Sequence, residues 1–256
     1  MQAHLLQPDT AWEDRDENFR RVDALLESAP VSPGDIAVVP ELFDTGFSFN
    51  LDKTTDAQGR TLDYLQRTAA RLRITLIGSR SVMGPAGKAF NRCTIADASG
   101  KVICEYDKIH PFTFGRENEH YLGGDTVRTF RHADTTVCPT ICYDLRFPEL
   151  FRLGMLAGAE VFSVIANWPA PRAFHRRALA TARAIENQAI VLCVNRAGRD
   201  PHLSYEGCSF AIGPKGDTLA ELGAAPGVLS VPLDLARLRD WRAEFPAWRD
   251  VKLIAR

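Results

Sequence analysis

No apolar run in this 256-residue chain approaches the roughly 20 residues that span a bilayer, so a membrane-spanning protein is not expected. Charge of one sign is equally lacking: 31 Lys and Arg stand against 32 Asp and Glu, a formal net charge of -1. Such a surface has no global field to hold a polyanion, and no local basic stripe replaces it. The densest basic cluster, residues 172–183, has the interleaved apolar residues of an amphipathic helix, so nucleic acid is not an expected partner. Residues 1–8 carry no cationic segment ahead of an apolar stretch, and acids follow at once, so the layout of a signal peptide is missing. Neither a Cys-x-x-Cys pair nor a His-Glu-x-x-His motif occurs, which argues against zinc chemistry, and no metal is expected. There is no G-x-x-x-x-G-K-[ST] loop and no dinucleotide fingerprint, so ATP-driven amidation is disfavoured and no cofactor is expected.

The cysteines that are present, Cys93, Cys104, Cys138, Cys142, Cys193 and Cys208, lie mostly inside apolar runs, where a reduced thiol behaves as a small hydrophobe. That usage suits the reducing cytoplasm. With 45% hydrophobic and 25% charged residues the chain can bury a sizeable core, which excludes disorder as its main state. No Pro-rich or Gly/Ser-rich linker, low-complexity tract or repeat divides it, and one domain over residues 1–256 is expected.

Local patterning alternates. Residues 9–28 place acids first and then Phe19, Val22, Leu25 and Leu26 at helical spacing. Residues 36–40 and 74–78 form short β-branched runs typical of buried strands, with a helical stripe over 62–72 between them. Residues 91–97 and 101–106 flank an Ala-Ser-Gly turn as a hairpin, and a similar pair flanks 214–217. Strands are predicted at 135–142, 161–166 and 190–194, with helices at 148–157 and 172–188. The pattern predicts an α/β fold of mixed sheets with helices outside.

Three chemically useful side chains stand just beyond predicted buried strands, where an open α/β sheet presents groups to a crevice: Glu41, Lys108 and Cys142. Taken singly each has a bland reading, as a solvated ion pair for Glu41 or Lys108 and as apolar filler for Cys142; Cys138 fits the filler role. Cys142 is different in standing between a strand and a helix starting near Phe147 and Pro148, where unpaired backbone N–H groups favour a thiolate.

In their order along the chain these residues resemble the nitrilase, or carbon-nitrogen hydrolase, superfamily. The resemblance rests on residues 39–43 (VPELF) with Thr45 and Gly46, 106–110 (YDKIH), 142–149 (CYDLRFPE), 166–169 (ANWP) and 182–188 (ARAIENQ). The wording around Asn167, Trp168, Pro169, Arg172 and 183–188 is most similar to the ω-amidase branch. The resemblance implies a four-layer αββα sandwich, a homodimer, and a Glu-Lys-Cys centre at Glu41, Lys108 and Cys142. It also implies a second glutamate after the lysine. Both Glu117 and Glu119 stand there, and counting back from Tyr121 and Gly124 gives Glu117 the matching place. Pro111 departs from the Leu often found in relatives at that position.

That centre implies a thiol-dependent amidase. Glu41 would take the Cys142 proton as sulfur attacks an amide carbonyl, and Lys108 with the Tyr143 N–H would hold the oxyanion. Glu117 would hold Lys108 or the substrate amide, and a cysteinyl thioester would then be hydrolysed. The ω-amidase likeness implies a small dicarboxylic monoamide, such as α-ketoglutaramate or α-ketosuccinamate, whose distal carboxylate needs a cation or hydroxyl at the far pocket wall. Arg146 and Arg172 are the candidates, although for Arg146 an ion pair with Asp144 or Glu149 competes with substrate contact. Phe43, Phe47, Tyr143, Trp168 and Phe174 are candidate pocket walls, each with core packing as the alternative. His110 is expected to support the lysine loop. The aromatic tail of Trp241, Phe245 and Trp248 is expected to be covered, by a partner or by the chain's own core. Competing readings are amidases of deaminated glutathione or N-carbamoyl substrates, which share the same reacting residues, and a non-catalytic scaffold with Cys142 as an oxidant sensor.

Overall fold

The period of two along each strand sorts the apolar residues into two cores. In the computed structural model, which describes residues 1–254, β1 (Gln2–Gln7) turns Ala3 and Leu5 toward one core and Leu6 toward the other. The sorting repeats in β2 (Ile36–Val38), with Ile36 and Val38 opposed to Ala37, and in β3 (Thr75–Met83), with Ile77 opposed to Leu76. With β4 (Ala89–Ala96), β5 (Val102–Asp107) and β6 (Tyr121–Leu122), these strands make the first sheet.

The second half of the chain builds the second sheet from β7 (Phe130–His132), β8 (Thr135–Ile141), β9 (Val161–Ala166) and β10 (Ile190–Asn195). A separate ribbon follows, β11 (Ala197–Arg199) with β12 (Ser204–Glu206), and then β13 (Phe210–Ile212) and β14 (Thr218–Glu221) complete the second sheet. The last strand, β15 (Gly227–Pro232), returns to pair antiparallel with β1. Both sheets are mixed: β1, β2 and β3 run parallel, as do β8, β9 and β10, while hairpins β4–β5 and β13–β14 are antiparallel.

The inner core joins the sheets, with Leu5, Ile36 and Ile95 packed in the same cluster as Val137, Ile141 and Val161. The outer face of the first sheet is covered by α1 (Arg15–Ser28), through Val22 and Leu26, and by α3 (Arg60–Leu72), through Leu65 and Ala69; short α2 (Leu51–Thr54) precedes α3. Short α4 (Glu117–His120) lies in the loop after β5, and α5 (Pro148–Leu156) and α6 (Ala173–Asn187) cover the second sheet through Leu150, Phe151, Ala180 and Ala184. The result is the expected helix–sheet–sheet–helix sandwich, closed by α7 (Leu235–Glu244). No helix among the described residues is long and apolar enough to cross a membrane.

Several boundaries differ from the sequence reading for local reasons. Helix α1 starts at Arg15 rather than near Asp9, because the Asp14 side chain caps it by accepting the Glu17 N–H while Glu13 takes a positive φ of 55°. Strand β3 runs on through Ser79, Arg80 and Ser81, since buried Arg80 is neutralised by Asp56 at 3.3 Å and Glu105 at 2.9 Å. The basic cluster at 172–183 is partly interior: Arg176 donates to the Gly207 and Cys208 carbonyls, and Arg183 to the Leu145 carbonyl. The tail is covered only in part by its own chain: Trp248 packs against the inner core and Gln188 donates to the Phe245 carbonyl and accepts the Trp248 N–H, while Phe245 stays 54% exposed.

Candidate active site

Glu41, Lys108 and Cys142 follow the C-terminal ends of β2, β5 and β8, and the layering of the two sheets brings these ends together. The Lys108 ammonium donates to Glu41 Oε1 at 2.8 Å and to both oxygens of Glu117, at 2.8 Å (Oε2) and 3.1 Å (Oε1). All three side chains are at most 1% exposed. Glu119 instead lies at the surface, paired with Arg116, so the position that joins the cluster is Glu117.

Two further residues hold the glutamates. Asn91 on β4 donates its amide N–H to Glu41 Oε1 at 2.8 Å and to Glu117 Oε1 at 3.4 Å. Asn167, just beyond β9, donates its backbone N–H to Glu41 Oε2 at 2.9 Å and its side-chain amide to the Glu41 carbonyl at 2.7 Å. Asn167 lay inside the quoted ANWP segment, but Asn91 was missed. Its signal was an amide side chain in register with the buried Ala89 and Cys93 of the same strand.

Cys142 opens a tight 3-10 turn over Cys142–Arg146 with φ of +48°, a left-handed conformation unusual for a residue with a Cβ. Buried Asp144 fixes that turn. It accepts the Ile141 N–H at 3.0 Å, the Tyr106 hydroxyl at 2.7 Å, and both the His110 N–H at 3.1 Å and the His110 ring at 2.9 Å. One carboxylate therefore ties the cysteine turn to the lysine loop. The His110 ring also stacks on Phe147 with centroids 3.7 Å apart, so His110 supports that loop as expected. From the other side Arg183 holds the Leu145 carbonyl at 2.9 and 3.1 Å.

The electrostatics of the cluster follow from burial against pairing. Burial pulls the Lys108 ammonium down, but Glu117 and Glu41 overcome it and hold the cation well above its ordinary range. Burial pushes the Glu117 carboxyl up, Lys108 opposes this, and the charge of Glu41 adds to the rise. For Cys142, burial and the Glu41 and Glu117 carboxylates outweigh Lys108 and push the thiol well above its ordinary range. Unpaired backbone N–H groups can favour a thiolate, and burial with the two carboxylates acts in the opposite direction. The turn is five residues long, too short for a strong dipole, and two carboxylates face the sulfur. The thiol, held above its ordinary range, stands beside the Glu41 side chain.

Cys142, Glu41 and Lys108 open onto a pocket of about 430 Å³ counted to its open mouth, walled by Phe47, Phe112, Tyr143, Trp168, Tyr205 and Leu203. Phe112, Leu203 and Tyr205 were not anticipated; they lie on loops and the β11–β12 ribbon, where no periodicity marks a side chain as facing a site. Arg146 and Arg172 line the same pocket. Among the described residues neither has a carboxylate partner. The Arg146 guanidinium lies over the Trp168 ring at 5.0 Å and the Tyr143 ring at 5.8 Å, and Arg172 lies over Phe112 at 5.3 Å. The ion pair of Arg146 with Asp144 or Glu149 does not form, because Asp144 is occupied by the lysine loop.

Two expected wall residues are elsewhere. Phe43 is fully buried in the outer core against Phe19 and Tyr64, because its place after Glu41 turns it to the helix side of the sheet. Phe174 is 80% exposed at the start of α6 and does not line the pocket. Among the described residues no group of three His, Cys, Asp or Glu is arranged to hold a metal ion.

The chain is similar to known proteins over nearly its whole length. The family model described as carbon-nitrogen hydrolase matches residues 2–243. The omega-amidase YafV of Escherichia coli (strain K12) is 36% identical over 96% of this chain and 94% of its own length. The 2-oxoglutaramate amidase of Bacillus subtilis (strain 168) is 32% identical over 96% of each chain. A CN-hydrolase superfamily protein from Xanthomonas campestris, whose crystal structure carries an arsenic adduct in the active site, superposes with a TM-score of 0.93. It is 34% identical, and the match covers 100% of this chain and 98% of that one.

Proposed function

The chain belongs to the carbon-nitrogen hydrolase family as an amidase of the nitrilase superfamily, and from that premise we propose that it hydrolyses the terminal amide of small dicarboxylic monoamides through a cysteinyl thioester. The observation that carries the chemistry is the Lys108 cation held between Glu41 and Glu117 at the mouth of which Cys142 stands. Glu41 accepts the thiol proton as Cys142 Sγ bonds to the amide carbon, so the attacking thiolate exists only as the bond forms. The carbonyl oxygen becomes an oxyanion, stabilised by Lys108 and by the Tyr143 N–H at the start of the turn; a donor of this kind contributes about 3 kcal/mol. Collapse breaks the C–N bond, and Glu41 returns the proton to nitrogen as ammonia leaves. A water then gives its proton to Glu41 and attacks the thioester carbon, and the acid departs as Cys142 recovers its proton. Glu117 keeps Lys108 placed throughout.

The substrate class rests on Arg146 and Arg172, two cations at the pocket wall without carboxylate partners among the described residues. Either can receive the distal carboxylate of α-ketoglutaramate or α-ketosuccinamate, and burial of a carboxylate in an aromatic-walled pocket requires such a partner. Measuring ammonia release from α-ketoglutaramate, α-ketosuccinamate, glutamine, asparagine and N-carbamoyl amino acids tests this reading. Turnover concentrated on the keto-amides supports it; preference for a carbamoyl compound overturns the substrate class, and full turnover by folded Cys142→Ala overturns the thioester. The single-domain chain is further proposed to work as a cytoplasmic homodimer, supported by its free thiols and by exposed Leu153, Phe174 and Ile185 on α5 and α6.

A further inference from the structure

The reacting pocket adjoins a second, outer cavity of about 980 Å³ counted to its open mouth, and four residues line both: Phe47, Phe112, Leu203 and Tyr205. Three of the four are locked into the surrounding structure. Phe47 lies beneath the Lys108 ammonium, 5.4 Å from its ring centroid. The Phe112 N–H donates to Glu117 Oε2 at 2.5 Å and its ring packs on Tyr143. Tyr205 is buried under the Arg196 guanidinium at 4.5 Å and donates its hydroxyl to Asp200 Oδ2 at 2.6 Å.

Leu203 is different. It stands in the turn between β11 and β12, 41% exposed, and its main chain is held by Asp200: its N–H donates to Asp200 Oδ1 at 2.7 Å and its carbonyl accepts the Asp200 N–H at 3.0 Å. Its backbone is thus fixed while its side chain, an isobutyl group at the junction of the two cavities, is held by no polar or ring contact. We propose that Leu203 sets the acyl length the site accepts, and that the outer cavity is a subsite for the distal part of longer linear amides. This rests on the amidase reading above for the position of the scissile carbon, at Cys142.

The physical argument is one of room. An acyl chain bonded at Cys142 runs outward through the inner pocket, where a short dicarboxylic chain ends near Arg146 and Arg172. A longer chain must pass the Leu203 side chain to reach the outer cavity, whose Trp12, Phe49 and Phe112 faces suit methylene groups. Each methylene admitted to or refused by an apolar pocket changes kcat/KM by about 10- to 200-fold. Shortening one side chain at the junction therefore changes selectivity among chain lengths far more than it changes the chemistry.

The test is the ratio of kcat/KM for suberamate to that for succinamate, with glutaramate and adipamate between them, in wild type, Leu203→Ala and Leu203→Trp. A parallel series of unsubstituted aliphatic amides of matching lengths is run with each enzyme. Because a ratio taken within one preparation does not depend on the fraction that is folded, it reads selectivity directly. Leu203→Ala is expected to raise the long-to-short ratio by about tenfold or more, and Leu203→Trp to lower it, in both series. Ratios that stay within about twofold of wild type in both variants overturn the proposal. If wild type prefers the unsubstituted amides throughout, the dicarboxylic substrate class fails, yet the Leu203 effect is still read in that series.

Discussion

Replacing Lys108 with methionine keeps most of the side chain's bulk and removes the one cation shared by two buried carboxylates. Glu41 and Glu117 are then left as uncompensated charges, both 0% exposed and each previously within 2.8 Å of the ammonium. Breaking a buried ion pair from one side generally costs about 3–5 kcal/mol, against a total stability of about 5–15 kcal/mol. Urea unfolding at fixed protein concentration measures this as a fall in midpoint with little change in slope. The pH dependence has a definite sign. Burial already holds the Glu117 carboxyl above its ordinary value and Lys108 opposes that rise, so removing the lysine raises it further. The folded variant then binds more protons than the unfolded chain, and its deficit relative to wild type shrinks as pH falls from 7 to 5. The double variant Lys108→Met with Glu117→Gln removes one of the orphaned charges, while Glu41 keeps its bonds from Asn91 and Asn167. It should be more stable than Lys108→Met alone, a coupling that independent sites do not show. A Lys108→Met protein as stable as wild type, or a double variant whose loss equals the sum of the two single losses, refutes the reading of this cluster as a charge-balanced unit.

Asn91→Leu removes the neutral donor that bridges Glu41 and Glu117; steady-state kinetics should show kcat reduced about tenfold or more with KM little changed, since the side chain is buried behind the glutamates. His132 is held below its ordinary value chiefly by burial, against the Gly34 carbonyl and Asp35, and its ring is also bonded to Thr75. Its contribution to stability is present above the unfolded imidazole's range and lost as pH falls through the lowered folded value, so His132→Gln should flatten the decline of the thermal midpoint on acidification from neutral pH.

Cys142 illustrates how position and neighbours decide reactivity together. Its place after β8 gives the left-handed turn, while burial and two carboxylates hold the thiol above its ordinary range. Reaction is thereby tied to an occupied pocket, which limits side reactions of the sulfur with oxidants.

The sequence by itself determined the alternation of strands and helices and many of their centres, and it marked Glu41, Lys108 and Cys142 as candidates at strand ends, because periodicity and strand-end placement are local properties of the chain. Glu117 and Glu119 both stand where the family resemblance implies a second glutamate, and the fold sets them apart: Glu117 is buried on Lys108, Glu119 exposed on Arg116. Tertiary structure alone decided where polar groups find partners. Strand β1 was hidden because His4 and Gln7 interrupt its apolar pattern, and they are tolerated only through bonds to Asp35, Ser230 and the loop at Gly223, far away in sequence. Phe43 and Phe174 could not be sorted into core, pocket or surface from their type, since an aromatic ring suits all three. Arg146 was released toward the pocket because Asp144 spends its oxygens on Tyr106, Ile141 and His110. A side chain's period is written in its neighbours along the chain, whereas its hydrogen-bond partner is supplied by another strand or loop, and only folding brings the two within 3 Å.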